Sequence, residues 1–160
     1  MEFREAAEAD LPQIVRLLAE DPLGAQRERN ADPLPQSYRD AFRRMRAQPG
    51  NRLLVALEGE AVVGCLQLTV IAGLSRQGLT RAQLEGVRVA KARRGSGIGE
   101  ALMRHAIALA RAEGCGLVQL TTDRRRGDAH RFYERLGFTA SHLGMKLEIV
   151  PDEPQKSRSA

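Results

Sequence analysis

The chain has 160 residues, 42% of them hydrophobic and 28% charged, which is the composition of one folded domain rather than of a disordered chain. Lysine and arginine outnumber aspartate and glutamate by 25 to 20, so the net charge of +5 favours anionic ligands, while an aromatic content of 4% argues against stacking on nucleic-acid bases. No run approaches the roughly 20 apolar residues of a membrane span, no signal peptide is recognisable, and Cys65 and Cys115 stand apart. These features predict a cytoplasmic protein with reduced thiols, no membrane partner and no metal site.

The first third of the chain predicts one strand and two helices. Residues 2–6 have the pattern of a short strand, and apolar residues at helical spacing after Asp10 predict a helix. Prolines and a glycine between Asp21 and Pro35 predict a loop or a broken helix. A second helix is expected from Gln36 to Gln48, because Pro49-Gly50 ends it.

From residue 52 the pattern becomes that of β-strands. Residues 52–57 and 61–71 predict a hairpin around a Glu-Gly-Glu turn, and residues 82–89 predict the fourth strand of the chain. A helix follows the glycine-rich turn at Gly95 to Gly99, and residues 117–122 form a buried strand.

The last part of the chain predicts a helix from Asp128 to Arg135 and a final strand pair that ends near Val150. The resulting order, β-α-α-β-β-β-α-β-α-β, indicates an α+β (mixed α/β) domain over residues 1–150. Residues 151–160 are polar and proline-bearing, which predicts a flexible tail.

Three alternating glycines, Gly95, Gly97 and Gly99, stand at the start of the helix that follows the fourth predicted strand. Glycine permits a positive φ and leaves room for several backbone N–H groups to converge on an anion. The helix N-terminus adds a partial positive charge, and Arg93 and Arg94 add full ones. The turn therefore predicts a phosphate or pyrophosphate site, with a merely flexible helix start as the alternative.

Two other phosphate-binding loops do not fit this turn. The P-loop ends in Gly-Lys-Ser/Thr, which is absent, and the dinucleotide loop needs a glycine where Glu100 stands. Too little chain follows for the second half of a dinucleotide-binding sheet.

Two motifs, in this order, resemble those of the GNAT superfamily of N-acetyltransferases. The phosphate-loop signature Gln/Arg-x-x-Gly-x-Gly/Ala is matched from Arg94 to Gly99. The later signature, a helix with an aromatic pair followed by Leu/Gly-Phe, is matched from Ala129 to Phe138. The resemblance extends from about Phe3 to Ile149 and implies a central mixed, mostly antiparallel sheet flanked by helices.

The resemblance implies that acetyl-CoA is the co-substrate. In such a protein the loop amides hold the CoA pyrophosphate, and this role carries over to Arg94, Gly95, Ser96, Gly97, Ile98 and Gly99. The backbone of Val87, Arg88 and Val89 would pair with the pantetheine arm. Many members have asparagine where this sequence has Arg126, so the asparagine's side-chain contact to that arm does not carry over directly. Arg126 or Arg131 would instead meet a CoA phosphate, and a solvated helix charge is the alternative for both.

The resemblance and the chemistry of amide formation suggest two catalytic residues. An amine attacks a thioester only as the neutral base, and Glu85, two residues before Val87, could accept its proton; the alternative is a structural ion pair with Arg81 or Arg88. Tyr133 could protonate the departing thiolate; the alternative is core packing.

Regular alternation along the strand would put Glu85, Val87 and Val89 on one face and Arg88 on the other. Asp123 would line the acceptor side or cap the following turn.

Three functions compete on this sequence. The first is transfer of an acetyl group to a primary amine of a small molecule by direct attack in a ternary complex. The second is acetylation of a protein N-terminus or lysine, and the third is a non-catalytic acyl-CoA-sensing or nucleic-acid-binding module. The segment from Asp21 to Gln48 and the loop from Gly73 to Arg81 would select the acceptor. The sequence does not decide between a monomer and a homodimer.

Overall fold

Five strands form one sheet in the order β1-β2-β3-β4-β5. The computed structural model describes residues 1–20 and 22–149, so the predicted tail lies outside the described residues. The strands are β1 (Glu2–Glu5), β2 (Asn51–Glu58), β3 (Ala61–Ile71), β4 (Arg81–Val89) and β5 (Leu117–Leu120). Neighbours are antiparallel except β4 and β5, which are parallel. The predicted α+β class with a mixed, mostly antiparallel sheet is confirmed.

Helices cover both faces of this sheet. They are α1 (Leu11–Ala19), α2 (Pro22–Ala25), α3 (Gln36–Ala47), α4 (Ser75–Gly78), α5 (Ile98–Ala112) and α6 (Gly127–Arg135). The expected loop or broken helix at residues 21–35 contains the short α2, and Asp21 itself lies outside the described residues. No helix within the described ranges is long and apolar enough to cross a membrane.

The strands bury side chains on both faces because successive residues point to opposite sides. Leu66 and Leu68 of β3 pack in a core beneath α5, together with Leu102 of that helix. Cys65, on the other face of β3, packs in a second core with Ile14 of α1. The sheet is thus the middle layer of three.

A β-bulge breaks the alternation of β4 at Gly86. Gln67 of β3 pairs with Glu85 and Cys65 pairs with Arg88, so the single residue between Cys65 and Gln67 opposes two residues of β4. Gly86 adopts φ +60°, a conformation that favours glycine.

The bulge reverses the predicted faces of the strand end. Val87 and Val89 pack on the core beneath α5, like Leu84 before the bulge. Glu85 and Arg88 instead pair with Gln67 and Cys65, which share the opposite face toward α1. The expectation that Glu85 shares a face with Val87 and Val89, and that Arg88 faces away from it, is therefore wrong, because it assumed regular alternation.

The predicted final strand pair is also wrong. No strand forms between Leu136 and Ile149, and Val150 lies outside the described residues. The alternating apolar side chains of this stretch are between 78% and 96% exposed; they are Leu143, Met145, Leu147 and Ile149. A period of two shows which side chains share a face, but it does not supply a partner for the backbone.

Candidate active site

The glycine turn joins the end of β4 to α5 through one 3₁₀ turn, Lys91–Arg93. Gly95 and Gly97 have φ values of +81° and +84°, and no side chain caps the first turn of α5. A methyl group at Gly97 would meet no non-neighbouring atom within 4 Å, so backbone conformation and not crowding requires glycine there. The N-terminus of a 15-residue helix therefore faces open space beside an arginine-containing turn.

Packing fixes the position of this helix start. A methyl group at Gly99 would lie 3.3 Å from Cγ2 of Val89 and 3.4 Å from Cζ of Phe132, so glycine allows α5 to approach both β4 and α6. Ile98 is buried in the core, and Ser96 Oγ donates a hydrogen bond to the carbonyl of Arg93 at 2.6 Å. The turn is thus held by contacts on either side of it.

Two carboxylates that the sequence did not reveal orient the basic residues of the turn. Glu20, which follows α1, accepts a hydrogen bond from the Lys91 N–H at 2.8 Å and lies 4.0 Å from Nη2 of Arg94. Arg93 pairs with Glu58 at the end of β2. Glu20 and Glu58 come from distant parts of the chain, so no local sequence motif indicates that they contact the turn.

One stretch of β4, from the turn to the bulge, pairs with β3 but not with β5. The ladder between β4 and β5 ends at Leu84 and Leu120, so residues 85–89 of β4 extend beyond it. Val87, Arg88 and Val89, the residues predicted to pair with the pantetheine arm, all lie in this stretch. A gap between the two parallel strands therefore begins next to the bulge.

Tyr133 of α6 lies close enough to this stretch for the charge of Arg88 to act on it. Its ring packs against Phe132 and Phe138, with centroids 5.2 Å and 6.0 Å apart. Burial raises the pKa of the Tyr133 phenol, and the positive charges of Arg88 and Arg126 partly oppose that effect. The hydroxyl accepts or donates no hydrogen bond within the described part of the chain, so it is a protonated donor that other groups can use.

Glu85 lies on the opposite side of β4 and is exposed. It forms no ion pair with Arg81, Arg88 or any other described residue, so the structural ion pair considered from the sequence is absent there. Its carboxylate is open to water on the face that α1 covers in part.

Arg88 shares that face and lies opposite Cys65. Its Nη1 donates a hydrogen bond to the carbonyl of Val87 at 2.9 Å. Burial raises the pKa of the Cys65 thiol to about 12, although Arg88 opposes the shift. Cys65 is therefore a protonated packing residue and not a nucleophile.

The turn before α6 is organised by Asp123. Its carboxylate accepts hydrogen bonds from the backbone N–H of Arg125 at 2.9 Å and from the same guanidinium at 3.0 Å and 2.8 Å. These bonds hold the pKa of Asp123 well below its usual range. Asp123 therefore caps the turn, and of the two roles weighed for it this is the one the contacts support.

The two arginines considered for CoA contacts lie in different surroundings. Arg131 is exposed and pairs with Asp128 one helical turn before it. Arg126 precedes α6, and its charge acts on Asp123 and on Tyr133 at the gap. Within residues 1–20 and 22–149, no three metal-ligating side chains of His, Cys, Asp or Glu come together.

Comparisons with known proteins bear on the family of this chain. The sequence matches the model of the acetyltransferase (GNAT) family over residues 11–138. It is 34% identical over 108 residues to the aminoalkylphosphonate N-acetyltransferase of Salmonella typhimurium, covering 68% of this chain and 70% of that protein. It is 32% identical over 88 residues to the glucosamine 6-phosphate N-acetyltransferase of Trypanosoma brucei brucei, covering 55% of this chain and 58% of that protein.

The fold agrees equally well with a solved structure. A transcriptional regulator from Bacillus halodurans C-125 superposes with a TM-score of 0.90 and 51% identity, covering 92% of this chain and 99% of that one. The glycine turn, the gap beside β4 and the aromatic helix thus occur in a chain that belongs to the acetyltransferase (GNAT) family.

Proposed function

We propose that this acetyltransferase transfers the acetyl group of acetyl-CoA to a primary amine of a small molecule, by direct attack in a ternary complex. The observation that carries the proposal is the family match over residues 11–138, which contains both the glycine turn and the aromatic helix. The two curated relatives described above are named for small-molecule amines, which supports an acceptor of that kind.

The residues of the turn fit the phosphates of the co-substrate. Backbone N–H groups from Arg94 to Gly99 would bind the pyrophosphate at the uncapped start of α5. Val87, Arg88 and Val89 would offer the pantetheine amides the backbone groups that β5 leaves unpaired. Arg126 would meet a CoA phosphate. Acetyl-CoA itself supplies an acetyl group activated as a thioester.

Glu85 and Tyr133 would divide the two proton transfers between the faces of β4. Glu85 would accept the proton of the ammonium group, directly or through water, because its carboxylate is exposed and unpaired within the described residues. Tyr133 would donate a proton or a hydrogen bond to the departing thiolate, because burial keeps its hydroxyl protonated. Backbone N–H groups beside the bulge would polarise the thioester carbonyl.

The experiment is a panel of amines incubated with acetyl-CoA and purified protein, with released CoA thiol as the readout. We expect release that depends on both the protein and an amine, with small primary amines preferred over peptides. Cys65 and Cys115 are both free, so the reaction of the protein's own thiols is subtracted from a sample without acetyl-CoA. Binding of acetyl-CoA without release by any amine or peptide would contradict the proposal and favour a sensor.

The same assay tests Glu85. In Glu85→Gln, kcat/KM should fall by about 10²-fold and one ionisation should disappear from its pH profile. Glu60→Gln, at the hairpin between β2 and β3, is the matched control. An unchanged pH profile would assign proton removal to water or to another residue.

Nucleic-acid binding is the alternative from another class, and the Bacillus halodurans protein is named a transcriptional regulator. Part of the basic surface is already neutralised, since Asp123 pairs with Arg125 and Asp128 pairs with Arg131. Retardation of DNA by the protein at physiological salt, in the absence of thiol release, would favour this alternative.

A further inference from the structure

We infer that a cleft between α1 and residues 30–34 binds a small molecule that carries both a carboxylate and an ammonium group, as an amino acid does. The proposed function makes no use of this cleft. Its volume of about 410 Å³ lies within the range of about 300–1,000 Å³ that is common for small-molecule sites. The inference follows from two opposite charges in the walls of the cleft.

Packed elements form these walls. Pro12 and Arg16 line the cleft from α1, and residues four apart share one side of a helix. Leu34 lines it from the segment before α3, and its side chain is buried in the core between α1 and the sheet. Arg39 of α3 also lines the cleft, and its Nη1 donates a hydrogen bond to Glu8 at 2.8 Å. The cleft is therefore built from two helices and a segment anchored in the core.

Two of the charged side chains that line the cleft lack partners. Within residues 1–20 and 22–149, the guanidinium of Arg16 forms no hydrogen bond or ion pair, and neither does the carboxylate of Asp32. The two groups therefore do not pair with each other. Arg39 differs from them, because Glu8 balances its charge. One positive and one negative charge are thus available to a ligand in the same cleft.

These charges favour a ligand that carries two charges over a ligand that carries one. A guanidinium binds a carboxylate by two parallel hydrogen bonds, and a carboxylate accepts hydrogen bonds from an ammonium group. A simple anion would be attracted by Arg16 and repelled by Asp32, and a simple amine would meet the reverse. The side-chain amide of Asn30, which also lines the cleft, can donate to the acid or accept from the ammonium group.

Helix α1 separates this cleft from the bulge in β4. The side chain of Leu18 faces the bulge, since its Cδ2 would lie 3.8 Å from a methyl group at Gly86. Two residues along an α-helix correspond to a rotation of about 200°, so Arg16 points to the other side of α1 from Leu18. A molecule in the cleft would therefore bind apart from the proposed site of acetyl transfer.

The test is an NMR titration of the isotope-labelled full-length protein without acetyl-CoA, followed by its backbone amide shifts. Glycine, β-alanine and γ-aminobutyrate carry both charges at increasing separation, and butyrate and butylamine carry one each. We expect saturable shifts at Arg16, Asn30 and Asp32. For at least one amino acid, the Kd should be about 3- to 5-fold lower than for butyrate and for butylamine, the effect of one further exposed ion pair.

Two variants then assign the charges. Arg16→Met should raise the Kd of the preferred amino acid by about 5- to 10-fold, because a charge-assisted hydrogen bond is lost in a cleft that is open to water. Asp32→Asn should also raise that Kd, but it should lower the Kd of butyrate, because the repulsion is removed. Arg44→Met removes an exposed arginine of α3 that does not line the cleft, so it should keep the wild-type Kd.

Four results would overturn the inference. They are the absence of saturable shifts in the cleft, shifts confined to β4 and the glycine turn, equal affinity of the wild-type protein for butyrate and for all three amino acids, and wild-type affinity in Arg16→Met. Because the titration contains no acetyl-CoA, each of these results leaves the proposed function standing. Binding in the cleft would equally stand if the assay for thiol release found no acceptor.

Discussion

In the proposed mechanism, Tyr133 would serve both packing and chemistry. Its ring is held edge-on by Phe132 and Phe138, and the charge of Arg88 near the end of β4 acts on its hydroxyl. Burial raises the pKa of the phenol, so the proton stays on the oxygen at pH values where an exposed tyrosine would begin to lose it. Core packing was the alternative to a catalytic role for Tyr133, but the same packing buries the phenol and so keeps its hydroxyl protonated.

Tyr133→Phe separates the two roles, because it removes the hydroxyl and keeps the ring. We expect kcat for an accepted amine to fall by about 10²-fold, with the free energy of unfolding changed by less than about 1 kcal/mol. In the wild-type protein, any loss of kcat that comes from ionisation of Tyr133 should occur above pH 10, the ordinary pKa of tyrosine, since its pKa is raised. The measurement is the pH profile of kcat, together with urea denaturation.

Tyr38→Phe is the matched control, because that hydroxyl bonds to Glu28 and Arg29 near α3, away from the gap. Wild-type turnover by Tyr133→Phe would show that the hydroxyl is not an acid in the reaction.

At the scale of elements, the bulge in β4 determines which side chains share a face of the sheet. Gly86 takes φ +60°, and the extra residue moves Arg88 to the face of Glu85. The methyl group of an alanine at this position would lie 3.8 Å from Cδ2 of Leu18, which is an ordinary contact. Space is therefore not what excludes other residues; the backbone conformation is.

Gly86→Ala tests this reading of the bulge. We expect the free energy of unfolding to fall by about 1–2 kcal/mol, the cost of a left-handed conformation for a residue with a Cβ. We also expect kcat/KM to fall, because relaxation of the bulge would move Glu85 and the backbone of residues 87–89, to which the proposed function gives the proton transfer and the pantetheine contacts. Urea denaturation and the thiol-release assay give the two quantities.

Gly59→Ala is an internal reference for this substitution. Gly59 has the same φ of +60°, lies in the hairpin between β2 and β3, and would meet no atom within 4 Å. It should lose similar stability and keep its kcat/KM. Equal losses of kcat/KM in both variants would mean that the bulge has no special role in the site.

The glycine turn and the aromatic helix could be predicted because each is specified by a few consecutive residues. Helix bounds also followed from local signals, as when Pro49-Gly50 limited α3, which runs from Gln36 to Ala47. The partners of the turn, Glu20 and Glu58, could not be predicted, because only the tertiary fold brings them to Lys91, Arg94 and Arg93.

Two incorrect predictions, the side-chain faces at the end of β4 and the final strand pair, have the same physical origin. Gly86 inside a strand pattern was a signal for a bulge, but the face of each following residue depends on its pairing with β3. The stretch from Leu143 to Ile149 has the period of a strand, yet no ladder forms there. Periodicity is a property of one chain segment, whereas register and pairing depend on two strands, so they cannot be predicted from either strand alone.

At the scale of the whole molecule, charge agrees with an anionic co-substrate. The net charge is +5, and the start of α5 adds its own partial positive charge beside Arg93 and Arg94. Glu20 and Glu58 reduce the local excess and fix the basic side chains, so recognition depends on the backbone N–H groups of the turn as much as on the arginines. Salt should therefore weaken binding only in part, because short contacts inside the turn are less screened than the surface field.

The central claim is that the turn from Gly95 to Gly99 binds the pyrophosphate of acetyl-CoA, and calorimetric titration of acetyl-CoA into Gly97→Asp tests it most directly. Gly97→Ala has the same unfavourable φ of +84° without the charge, so it separates backbone strain from repulsion of the phosphates. Circular dichroism first checks that Gly97→Asp is folded. We then predict that it binds acetyl-CoA at least about tenfold more weakly than Gly97→Ala, as expected for one carboxylate close to a phosphate. Wild-type affinity for acetyl-CoA in folded Gly97→Asp would contradict the claim.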